Sequence, residues 1–86
     1  MLKKVSKREL EIRERLQKIY EDLSGRTDIK IEPKTKIDES IGLTSLGKIQ
    51  YVVLIEEDFG LEIPNTVLHN VKTADDMIKY ILKATK

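Results

Sequence analysis

Eighty-six residues with 16 Lys/Arg, 15 Asp/Glu and no cysteine describe one small, nearly neutral domain, 1–86. That composition excludes disulfides, thiolate metal sites and a thiol nucleophile. No apolar run reaches membrane-spanning length, and so modest a core leaves little room for an enzyme's active site.

In chain order, Met1 to Arg8 is charged and no apolar signal core follows it, which points to a cytoplasmic protein. Ser6 with Glu9 three residues on makes a capping-box pattern. Ile12, Leu16, Ile19, Tyr20 and Leu23 then recur at helical spacing, and Gly25 stops the helix. Residues 26–44 hold no sustained period. Pro33 interrupts them, and Ile29, Ile31, Ile37, Ile41 and Leu43 stand as single apolar anchors. The segment reads as an ordered loop pinned to the core, with room for a short, unpartnered strand at Ile29–Glu32.

A second helix is expected from about Ser45 to Phe59, ended by Gly60 and kept from resuming by Pro64. Whether Thr44 or Ser45 caps it is open. Asn65 to Val71 suits a short third helix. Thr73 suits the N-cap of the last, with Asp75 and Asp76 in its first turn and Ala74, Met77, Ile78, Ile81 and Leu82 on one face. The fold class is all-α: three main helices, one short helix and a long loop between the first two.

Charge is unevenly spread. Residues 1–36 carry 11 Lys/Arg against 7 Asp/Glu, residues 37–66 carry 1 against 6, and residues 67–86 carry 4 against 2. An acidic middle suits a basic protein partner. Nucleic acid would call for a basic patch interleaved with aromatics, and only Tyr20, Tyr51, Phe59 and Tyr80 are aromatic.

The second helix bears two apolar stripes. Tyr51, Val52, Ile55 and Phe59 form one; Leu46, Ile49 and Val53 form the other, with Glu56 and Glu57 one turn further on. One stripe suffices to reach a core. The other is either buried because the helix is central or exposed as a docking surface for a basic partner with an apolar centre. With one stripe each, the flanking helices cannot wrap it fully, which favours docking. Ser45 stands where this helix begins. A lone hydroxyl there is a weak nucleophile but a good point for a phosphate-linked arm, because helix N-termini attract anions.

Taken in order, Thr44-Ser45-Leu46, Glu56-Glu57-Asp58-Phe59, Glu62-Ile63-Pro64, Thr73 and Tyr80-Ile81 resemble the acyl carrier protein family over nearly the whole chain. The resemblance implies a four-helix bundle that is not an enzyme. It implies that Ser45 is the attachment point of phosphopantetheine, taken from coenzyme A by a magnesium-dependent phosphopantetheinyl transferase. The arm's thiol would carry acyl or related cargo as a thioester. Thr44, Leu46, Ile49, Val53, Glu56 and Glu57 fall in the region that partner synthases and acyl-transferring enzymes would grip with basic patches. A monomer needing neither membrane nor nucleic acid is implied.

The pattern departs from the family at Thr44, where an aspartate is usual, and at Gly47, Lys48 and Gln50, which dilute an acidic helix start. These changes point to a specialised fatty-acid, polyketide or related pathway. An unloaded adaptor that binds partners non-covalently through the second helix is the alternative.

Other readings are weaker. Capping alone explains many serines at helix starts. Ser45-Leu46-Gly47-Lys48 spells Ser-x-x-Lys, but no further catalytic partner accompanies it. His69 is the only histidine and reads as an exposed polar residue. Adjacent acids at 56–58 point in different directions around a helix and do not converge on a cation.

Overall fold

A computed structural model describes residues 6–85. Helix α1 (Lys7–Ser24) opens on Ser6, whose hydroxyl accepts from the Glu9 N–H at 3.1 Å, and ends at Gly25 with φ 73°. That left-handed turn costs a glycine nothing sterically. Ile12, Leu16 and Tyr20 face inward and are fully buried.

The loop from 25 to 44 is ordered by its isoleucines, as its sequence suggests. Ile31, Ile37, Ile41 and Leu43 are buried. No strand forms at Ile29–Glu32 among the described residues. The Gln17 amide takes the place of a partner strand: its nitrogen donates to the Ile29 carbonyl (2.9 Å) and its oxygen accepts from the Ile31 N–H (2.6 Å). Near its end the loop makes one turn of 3-10 helix, Glu39–Ile41, which the sequence pattern did not reveal. An isolated antiparallel bridge, Lys36 with Thr73, ties it to the start of the last helix through Ile37 N–H to Lys72 O (2.9 Å).

Helix α2 is Ser45–Phe59, with Thr44 as the N-cap: its hydroxyl accepts from the Gly47 N–H at 3.1 Å. Helix α3 is a single turn, Asn65–Leu68, shorter than expected. Beyond it the chain continues as a turn, with His69 still right-handed helical and the Val71 N–H bonded to the Val67 carbonyl at 3.1 Å, and Val71 reaches the core at 3% exposure. Helix α4 is Ala74–Ala84 and begins with a complete capping box: Thr73 accepts from the Asp76 N–H, and Asp76 accepts from the Thr73 N–H.

α1 packs against both α2 and α4. Tyr20 and Tyr51 meet edge-on at its centre, with ring centroids 6.2 Å apart and planes at 78°. Both hydroxyls are satisfied, Tyr20 donating to Ile41 O (2.5 Å) and Tyr51 to Leu16 O (2.8 Å). Burial pushes the Tyr51 hydroxyl's pKa well above its ordinary value. At the far end of α2, Arg15 pairs with Asp58 at 2.8 Å and lies over the Phe59 ring at 4.6 Å. Among the described residues no helix is long and apolar enough to cross a membrane.

Candidate functional site at the start of α2

Ser45 is the first residue of α2 and is exposed. Because Thr44 does the capping, the Ser45 side chain is free of that duty, and among the described residues its hydroxyl makes no hydrogen bond. The first turn of α2 contains no acidic residue. The positive end of the helix dipole is therefore uncompensated from within, a setting that favours an anion by roughly 0.3–1 kcal/mol at an exposed site.

The serine lines an open depression of about 450 Å³ with Asp38, Glu39, Ser40, Leu43, Thr44 and Lys48. Lys48 ties the depression to the segment before α4, its Nζ donating to the Val71 carbonyl at 3.2 Å. Asp38 caps the 3-10 turn, accepting from the Ser40 N–H (2.8 Å) and hydroxyl (2.5 Å). The Ser40 hydroxyl, then its N–H, hold the Asp38 carboxyl below the usual carboxylate range. The depression therefore keeps a carboxylate although Thr44 brings none. An Asx turn at Asp38-Glu39-Ser40 followed by Gly42, which adopts φ 78°, was the available signal for this wall.

The two stripes of α2 part company. Tyr51, Val52 and Ile55 are buried, and Phe59 packs partly buried against them. Leu46, Ile49 and Val53 stand 64%, 52% and 44% exposed. Three large apolar residues on one helical face are a candidate docking surface. Glu57 is exposed beside them. Glu56 differs: half-buried, it accepts the Ile63 N–H at 2.6 Å and so ties the end of α2 to the following turn. Sequence pattern alone treated the two glutamates as one recognition edge. His69 is exposed, and among the described residues no three His, Asp or Glu gather as a metal site.

The start of α2 thus presents an exposed serine with an unengaged hydroxyl, at an anion-favouring helix end beside an open apolar face. A family profile described as a phosphopantetheine attachment site matches residues 14–81. An acyl carrier protein of Acidothermus cellulolyticus is 32% identical over 70 residues, covering 81% of this chain and 83% of that protein. One from Thermobifida fusca is 31% identical over 75 residues, covering 87% and 95%. The chain belongs to the phosphopantetheine-binding acyl carrier family. Its cofactor is covalent phosphopantetheine, and it is a carrier, not an enzyme. A carrier of this kind works with transferases and synthases.

Proposed function

We propose that the phosphopantetheine is attached at Ser45 and that the chain carries acyl or related intermediates in a specialised fatty-acid, polyketide or related biosynthetic pathway. One observation carries this reading: inside the matched stretch, the hydroxyl at the start of α2 is exposed and unengaged because its neighbour caps the helix. The residues present suit a phosphodiester. Ser45 offers the ester oxygen, the helix start favours an anion, and Lys48 adds positive charge at the rim. When attached, the group supplies a thiol on a flexible arm that presents thioester cargo at high local concentration to docked enzymes.

Leu46, Ile49 and Val53 form the apolar centre of the docking face, with Glu57 beside it and Thr44 at its edge. An apolar patch with an acidic rim fits synthases and a phosphopantetheinyl transferase bearing basic patches. Asp38 and Glu39 give the transferase carboxylates near the serine in place of the one Thr44 lacks. A cysteine-free chain suits the reducing cytoplasm, and the protein acts there as a monomer.

Thr44 also supports a second reading, an adaptor on the same scaffold that docks partners but is never loaded. Incubation with coenzyme A, magnesium and a broad-specificity transferase, followed by intact mass, separates the two. A gain of one phosphopantetheine that Ser45→Ala abolishes supports the carrier. No gain with several transferases supports the adaptor.

A further inference from the structure

The first turn of α2 sets Lys48 beside Ser45. Residues three apart on a helix are neighbours on one face, and these two line the same open depression. The long lysine stem is not left to wander there. Its Nζ donates to the Val71 carbonyl at 3.2 Å and the residue is half-buried, so the ammonium is held at the rim before any group arrives.

That hydrogen bond engages one of three ammonium donors. A neutral carbonyl does not balance a full positive charge. Among the described residues the ion pairs are Arg15–Asp58, Arg26–Asp28 and Lys79–Asp75, and none includes Lys48. Asp38 shares the depression, but its Oδ1 is engaged by the Ser40 N–H and hydroxyl. The first turn of α2 holds no acidic residue either. A positioned cation and an uncompensated helix start therefore favour negative charge at the same place, beside the Ser45 oxygen.

We propose that Lys48 anchors the phosphodiester at Ser45 through a charge-assisted hydrogen bond, fixing the root of the arm against the start of α2 and leaving the rest of it free. This rests on Ser45 being the attachment point. Lys48 then acts as a positioning residue for the arm. It gives a purpose to a cation at a helix start where the resemblance leads one to expect acid or neutral polar residues.

The test uses holo-protein with the bare arm, prepared from the parent, Lys48→Gln and Lys48→Arg and checked by intact mass. The phosphorus NMR resonance of the diester is followed from low salt to about 1 M, where screening reaches down to about 3 Å. It should move with salt in the parent, stay nearly still in Lys48→Gln and move again in Lys48→Arg. Equal salt responses in the parent and Lys48→Gln would overturn the proposal, because the ammonium would then serve only the Val71 carbonyl. A second measurement needs no substitution. Acetylation of Lys48 by an amine-reactive ester, read by peptide mass, should slow roughly two- to fivefold on loading, as an exposed ion pair would make it. The exposed Lys30 should react equally in both forms, and the protection of Lys48 should fade at high salt. Unchanged reactivity, or protection that salt leaves intact, would overturn the proposal as well. Absence of any mass gain, seen before a spectrum is taken, removes the attachment reading and the anchor together; a loaded protein without these responses removes the anchor alone.

Discussion

The inward and outward stripes of α2 are made of similar side chains, yet only one is enclosed. Tyr51, Val52 and Ile55 are at most 4% exposed, whereas Leu46, Ile49 and Val53 are 44–64% exposed on the same fifteen-residue helix. Helix geometry puts the sets on different faces, and α1 covers only the inward one. Apolar character therefore says little about role here. What separates structure from recognition is whether a neighbouring element arrives to cover the side chain.

The contrast is broken most strongly by truncating one residue from each stripe. Ile55→Ala should cost about 2–5 kcal/mol in urea unfolding, since it empties a fully enclosed site. Ile49→Ala should stay within about 0.5 kcal/mol of the parent while lowering turnover by a partner synthase. Similar losses of stability from both would mean the outward stripe is structural.

The adjacent glutamates sharpen the same division. Glu56→Lys removes the acceptor of the Ile63 N–H and should cost roughly 1–3 kcal/mol. Glu57→Lys should leave the unfolding midpoint nearly unchanged and weaken partner turnover, with each exposed charge contact worth about 1 kcal/mol or less. Equal unfolding curves for the two variants would contradict the separation of their roles.

A smaller effect distinguishes neighbouring hydroxyls. Thr44→Ala should cost about 0.5–2 kcal/mol, because Thr44 caps α2. Ser45→Ala should leave thermal stability almost untouched. At the start of α4, the Lys72 N–H and then the Thr73 N–H hold the Asp76 carboxyl below its usual range. A depressed folded pKa means a contribution present above the unfolded value, roughly 4, and lost as pH falls through the lower folded value. Asp76→Asn should therefore flatten the acid limb of stability below about pH 4 while changing its neutral-pH slope little.

Much of this was legible in the residues. Ser6, Gly25, Gly60 and Thr73 mark helix ends with local chemistry that tertiary structure did not override. Both stripes of α2 follow from spacing, and their different fates from the scarcity of covering elements. The long loop was less readable because its order comes from distant partners. Gln17, on α1, satisfies Ile29 and Ile31, and Tyr20 reaches Ile41. No local pattern encodes such contacts. The tie that Glu56 makes was hidden for the same reason: its partner, Ile63, lies beyond a turn whose path depends on Gly60. The choice between Thr44 and Ser45 as cap needed backbone geometry, since both residue types cap well.

Cleavage after Lys36 and Lys48 yields one peptide, 37–48, that contains Ser40, Thr44 and Ser45 together. Fragmentation of that peptide, after transfer from coenzyme A, locates the added group. The account predicts phosphopantetheine on Ser45 in every loaded molecule. Finding it on Ser40 or Thr44, or recovering only the unmodified peptide from all transferases tried, would contradict it.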